Sequence, residues 1–158
     1  INNAGVSLVR VLQDTSSDEW NRVFGVNVKG VFHCCRAVAD KMIGNGGGSI
    51  INISSVWGEV GASCEVAYSA SKGAVIAFTK ALAKELAPSK VRVNCVSPGV
   101  IDTSMNSNLT GDEMEQLIES IPLLRIGYPE DVAQACAYLA EADYVTGEIL
   151  SVGGGFAK

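Results

Sequence analysis

Histidine is almost missing from this 158-residue chain: His33 is the only one, and it falls midway along a helical pattern. No Gly-x-Ser-x-Gly elbow occurs either, which sets aside the serine–histidine chemistry of an α/β-hydrolase. The five cysteines, Cys34, Cys35, Cys64, Cys95 and Cys136, contain no C-x-x-C pair. Neither a zinc site nor a disulfide framework is suggested, and a reducing cytoplasm is the expected setting. Charge is scarce, at 18% of residues with 47% hydrophobic, against about 25% charged in an average domain. Such a chain has surface to hide, against another subunit or another part of its own fold. The net charge of -5 argues against nucleic acid as a general partner. Apolar runs are too short and interrupted to span a bilayer, and no basic-then-apolar leader opens the chain. An initiator methionine is lacking too: the chain opens Ile1-Asn2-Asn3, as the later part of a longer protein would.

What is present fits one domain with a real core. Segments 49–53, 91–96 and 148–152 are short and rich in Ile and Val, and helical patterns separate them. That alternation predicts an α/β fold with a parallel sheet. Ile1 reads as the end of a fourth strand. A helix is expected over 18–43, opened by a capping box at Thr15-Ser16-Ser17-Asp18. Its core stripe is Trp20, Phe24, Val31, Cys35, Val38 and Met42, with Asn27 on the same face. A carboxamide facing a core must find partners, so Asn27 reads first as an amide tying backbone together. A second helix is expected over 68–87, and its Ala/Ser/Gly-rich first half admits another backbone closely. A third runs from Pro129 to about 140, with Glu130 and Asp131 complementing its dipole. The irregular stretch 103–122, with a short helix over 112–120, reads as a flap over a site.

Tyr68 and Lys72 stand i, i+4 on the second helix, so their side chains share one face about 5–6 Å apart. An ammonium held near a phenol favours the phenolate and lowers its pKa. A phenol so tuned can exchange a proton with a carbonyl oxygen or an alcohol. Three strand ends gather around this pair. Asn2-Asn3-Ala4-Gly5 follows the first strand, Ser54-Ser55 the second, and Pro98-Gly99 the third, with Thr103 just beyond. Open parallel sheets bind ligands at that edge.

With these markers the chain resembles the short-chain dehydrogenase/reductase family. They are Asn2-Asn3-Ala4-Gly5, Asn27 in Val26-Asn27-Val28-Lys29-Gly30, Ser55 thirteen residues before Tyr68, Tyr68-x-x-x-Lys72, and Pro98-Gly99-Val100-Ile101-Asp102-Thr103. The resemblance implies the C-terminal part of a Rossmann-like doubly wound sheet, residues 1–158 forming a single partial domain. The phosphate-binding first half would precede Ile1. It further implies an NAD(P)H-dependent reduction of a ketone, NADP(H) being favoured over NAD(H). Tyr68 would be the proton donor, Ser55 would hold the substrate oxygen, and Lys72 would bind the nicotinamide ribose and depress the tyrosine pKa. Asn27 would hold a water beside Lys72. Asn3, Ala4, Gly5, Pro98, Gly99, Ile101 and Thr103, with Tyr68 and Lys72, would line the nicotinamide end.

Within the family the chain is similar to bacterial 3-oxoacyl-[acyl-carrier-protein] reductases. Around Trp57 and Glu65 it is similar to reductases of the 5-aminopentanone group on elongation factor P. Both substrates are ketones carried on a protein. An acidic carrier would want basic residues at the entrance, and only Lys90 and Arg92 offer themselves there. Glu65 would suit a cationic amine better than a fatty chain. The segment 139–147 is a residue or two short for the family, and Gly153 replaces a common aspartate. A homotetramer is expected by resemblance. A non-catalytic remnant of the fold is the competing expectation, against which stands the intact set Asn27, Ser55, Tyr68 and Lys72.

Overall fold

The structure is a computed structural model that describes residues 1–106 and 110–156. Strands β1 (Gly48–Ile53), β2 (Val91–Pro98) and β3 (Ile149–Val152) pair in parallel in that order. Asn2 adds a position outside β1. Its N–H donates to the Ile51 carbonyl at 2.8 Å, and its carbonyl accepts from the Ile53 N–H at 3.0 Å. The first residues thus run parallel to β1, as expected of a strand end at Ile1.

Alternation along the strands sorts side chains to two faces. Ile50, Val91, Val93 and Cys95 pack under helices α2 (Gly30–Gly44) and α4 (Val66–Leu86). Ile51, Ile53 and Val96 pack under α6 (Pro129–Glu141). Helices on both faces of a parallel sheet make the doubly wound α/β architecture.

The helix expected over 18–43 proves to be three pieces: α1 (Ser17–Phe24), a π-helical turn (Gly25–Lys29), and α2. Its capping box lies one residue later than expected, pairing Ser16 with Glu19 at 2.9 and 3.2 Å. The Gly30 N–H reaches back five residues to the Gly25 carbonyl. This widened turn spaces the buried positions four apart, at Val23, Asn27, Val31 and Cys35. Val38, expected on the stripe, is 37% exposed, and Ala39 packs against the core instead.

The small-residue half of α4 does admit a backbone, that of helix α3 (Val56–Val60). A Cβ on Gly58 would stand 2.7 Å from the Lys72 carbonyl carbon and 2.9 Å from the Gly73 nitrogen. Helix α6 opens at Pro129 as expected. The Asp131 carboxylate accepts from the Tyr128 N–H and from Arg125, each at 2.8 Å, and Arg125 holds its pKa down to about 2.

Arg92 requires a correction. It lies early in β2, away from the strand's carboxyl end, and its guanidinium donates to the carbonyls of Leu139 and Ala140 at 2.7 and 2.6 Å. It closes the C-terminus of α6, where orphan carbonyls need donors. Lys90 immediately precedes the same strand, so neither residue is at the site entrance. Among the described residues no helix is long and apolar enough to cross a membrane.

Candidate active site

Each expected site residue has a definite place. Asn3, Ala4, Gly5, Ser55, Tyr68, Lys72, Pro98, Gly99, Ile101 and Thr103 all line one cavity of about 1090 Å³ at the carboxyl edge of the sheet. Part of the expected flap, Ser104, Met105 and Leu117 of α5 (Gly111–Glu119), borders it too. Residues 107–109 of that segment lie outside the described residues.

Ser55 leaves β1 in extended backbone and caps α3, its oxygen accepting from the Trp57 N–H at 3.2 Å. Its hydroxyl is near enough to Tyr68 to favour the phenolate there. Tyr68 and Lys72 occupy the first turns of α4 and are buried, at 8% and 4% exposure. The lysine Nζ stands 5.7 Å from the phenol ring centroid and donates to the Ile53 carbonyl at 2.9 Å. Ser54, one residue on, donates to the Lys72 carbonyl at 2.9 Å. The end of β1 thus grips α4 at Lys72.

The electrostatics differ from the sequence expectation. Tyr68 is raised above a free tyrosine, first because burial penalises the phenolate. The Ser55 hydroxyl offsets this in part, and the nearby Glu65 carboxylate adds to it. Lys72 contributes no resolved lowering. Burial instead pushes the lysine's own pKa down, since an ammonium with one carbonyl partner loses more hydration than it regains. In the free protein the phenol is firmly protonated.

Asn27 does not line the cavity. Only 1% exposed in the π-turn, it accepts from the Val6 N–H at 2.8 Å and donates to the Val6 carbonyl and the Ser71 hydroxyl at 2.9 Å each. Both side-chain N–H donors are spent on protein. It fastens the loop after Gly5 to α4, the backbone-tying role its place on an apolar face suggested. Gly5 fits this corner for lack of a side chain: a Cβ there would meet the Lys72 Nζ at 3.3 Å and the Asn27 Oδ1 at 3.5 Å.

Sequence reasoning missed three supporting residues. Val6 and Gly58 carry no polar signal toward the site, because they act through backbone or close approach, and Ser71, whose hydroxyl accepts from Asn27, is one of several serines in a small-residue stretch. The paired glycines Gly25 and Gly30 bracketing Asn27 were the available hint of the π-turn.

Residues 1–157 match a family model described as enoyl-(acyl carrier protein) reductase. A 3-oxoacyl-[acyl-carrier-protein] reductase of Chlamydia trachomatis is 40% identical over 99% of this chain and 64% of its own length. A cyclopentanol dehydrogenase of a Comamonas strain is 44% identical over 99% of the chain and 64% of its length. The solved 3-oxoacyl-[acyl-carrier protein] reductase of Brucella melitensis superposes with a TM-score of 0.94 at 35% identity. That match covers 99% of this chain and 61% of that one. The chain therefore spans less than two thirds of the length of the curated relatives it matches.

Proposed function

The chain belongs to the short-chain dehydrogenase/reductase family, and on that premise we propose that its site reduces a ketone to a secondary alcohol with a nicotinamide cofactor. The observation that carries this reading is the convergence of Ser55, Tyr68 and Lys72 on one cavity at three strand ends. Ser55 and Tyr68 both line that cavity, and their hydroxyls are the two donors that would hold a carbonyl oxygen there. Tyr68, buried and protonated, gives its proton to that oxygen as the alcohol forms.

The residues fit the cofactor. Gly5 and Gly99 leave the cavity floor without side chains, and Gly99 abuts the Gly153 backbone, where a Cβ would come within 2.7 Å. Lys72 has three N–H donors, of which Ile53 takes one, leaving two for a ribose diol. Asn3, Ala4, Pro98, Ile101 and Thr103 complete the walls around the ring. When bound, the cofactor supplies the hydride that the carbonyl carbon accepts. NADPH rather than NADH, a cytoplasmic setting and a homotetramer belong to the same proposal.

The relatives' names favour a 3-oxoacyl thioester delivered by a carrier protein as substrate. The placement of Arg92 and Lys90 favours a second reading, an amino ketone, because it removes the basic entrance an acidic carrier would use. The test is reduction of acetoacetyl thioester and simple ketones by the whole protein with NADPH or NADH, beside Tyr68→Phe and Ser55→Ala. Turnover that falls by about 10²–10⁴ in Tyr68→Phe is expected for a lost proton donor. Absence of turnover with every ketone would favour the non-catalytic remnant, and full turnover in Tyr68→Phe would remove the assigned role.

A further inference from the structure

The chemistry above makes little use of the glycine run Gly153-Gly154-Gly155 or of Phe156 after it. These residues follow β3 directly and form a turn, closed by the Phe156 N–H donating to the Gly153 carbonyl at 2.9 Å. Three parts of the site meet this turn. Gly99 of the cavity lining abuts Gly153, to whose N-terminal neighbour, Val152, it donates its N–H at 2.9 Å. The chain just past α5 is the second. A Cβ on Gly154 would stand 2.9 Å from the Ile121 Cγ2, and one on Gly155 2.9 Å from the Pro122 ring. The Leu123 N–H donates to the Gly154 carbonyl at 3.1 Å. The third is Trp57, whose ring centroid lies 5.3 Å from that of Phe156, edge-on at 69°.

Trp57 lines the cavity together with Ser55 and Tyr68, and it is the bulkiest side chain there. Its backbone is fixed at the serine, because its N–H donates to the Ser55 oxygen at 3.2 Å. The wall and the hydroxyl donor therefore start from the same turn of chain. The indole itself is only partly buried, so tight packing on every side does not set its angle. Among the described residues Phe156 is the ring that meets it. An edge-on pair is directional, since the positive rim of one ring seeks the negative face of the other. The turn after β3 thus carries a prop for the wall beside Ser55, and its glycines let that turn sit against Gly99 and Pro122.

We infer that Trp57 is a specificity-determining residue that limits substrates to ketones unbranched beside the carbonyl, and that Phe156 is the positioning residue that holds its indole in place. The inference rests on the ketone-reductase reading and narrows its substrate class. The test compares 3-pentanone with 2,4-dimethyl-3-pentanone, reduced by the whole protein with NADPH. Both ketones are symmetrical, so the added methyl groups meet the wall whichever way the substrate enters. The readout is the branched-to-linear ratio of kcat/KM, relative to the parent, in which the intrinsic reactivity of each ketone cancels. Trp57→Ala should raise that ratio about tenfold or more, the scale of a methyl group in an apolar pocket. Phe156→Ala should raise it about two- to tenfold, as expected for loss of one aromatic pair. Phe156→Tyr keeps the ring and should return the parent's ratio. The double variant Trp57→Ala/Phe156→Ala should match Trp57→Ala alone, because Phe156 acts through the indole. Each value is a ratio within one variant, so a lower yield of folded enzyme does not move it. An unchanged ratio in Trp57→Ala, or a Phe156→Ala effect that persists in full in the double variant, overturns the inference and leaves the reductase reading intact. So does a 3-pentanone that parent and Trp57→Ala both leave unreduced while acetoacetyl thioester turns over. Absence of turnover with every ketone, the thioester included, brings down the reductase reading itself, and this inference with it.

Discussion

Replacing Asn27 by Ala separates two roles for a residue that the family resemblance sets beside a water and the structure sets beside Val6. The substitution leaves the Val6 N–H and carbonyl, which bond Asn27 at 2.8 and 2.9 Å, without their protein partner at a half-buried position. Each abandoned group costs at most about 1–3 kcal/mol where water cannot replace the partner, so roughly 2–6 kcal/mol together is the upper bound. The Ser71 hydroxyl loses less, since it still donates to the Tyr68 carbonyl at 2.7 Å. For a chain of this size that loss lowers the melting temperature by about 5–15 °C. It is concentrated in the 3–10 loop, so hydrogen exchange at the Val6 amide should accelerate before the sheet amides do. In the active protein the loosened loop should raise the KM for the cofactor more than it lowers kcat. If instead Asn27→Ala melts normally, keeps Val6 protected and loses only kcat, the anchor argument is wrong and a proton-relay role stands.

Arg92→Met should destabilise by about 2–4 kcal/mol, because the α6 carbonyls at Leu139 and Ala140 lose their charged donor. Denaturant unfolding measures it, and unchanged kcat/KM would confirm that Arg92 has no part in substrate capture. Gly58→Ala inserts a Cβ 2.7 Å from the Lys72 backbone. It should force α3 off α4, cost about 1–3 kcal/mol as an overpacked contact, and reduce turnover by separating Ser55 from Tyr68. Lys72→Met should abolish reduction without lowering stability at neutral pH. The sign follows from linkage: a lysine with lowered folded pKa binds fewer protons folded than unfolded, so its penalty is full at low pH and relieved as pH climbs toward 10.5. Alkaline stability curves of parent and variant should therefore converge, and a variant markedly weaker at neutral pH would refute this.

The strand positions and the site edge were legible because both rest on short-range rules. Val91, Val93 and Cys95 alternate onto one helix-covered face of β2, and polar residues follow the strand ends because turns and ligand sites coincide there. The π-turn was not legible, because a stripe of apolar residues assumes one uniform period. The π-turn at Gly25–Lys29 changes the phase between α1 and α2, so that Val23 rather than Phe24 shares the buried face with Asn27 and Val31. Arg92 misled for a different reason. Sequence proximity to the second helix said nothing about which end of β2 it occupied, and its guanidinium was already claimed by carbonyls some fifty residues away. The phenol's pKa misled because an i, i+4 spacing gives distance but not desolvation, and burial outweighed the neighbouring ammonium.

That last inversion bears on the direction of the chemistry. Buried asparagine and threonine side chains beneath the site are matched by protein partners: Asn52 to Thr79 at 2.9 Å, Asn94 to the Val145 carbonyl at 2.8 Å. The ionisable groups facing the cavity are not so matched. Tyr68 is held as the neutral phenol, Lys72 is an ammonium short of partners, and Glu65 is a carboxylate without a cation. A site meant to take a proton from an alcohol would need its phenolate favoured before substrate arrived. This one favours the proton-bearing form, which suits delivery to a newly reduced oxygen. Burial is thus no obstacle to the role proposed for Tyr68; it favours the protonated phenol, the form a proton donor needs.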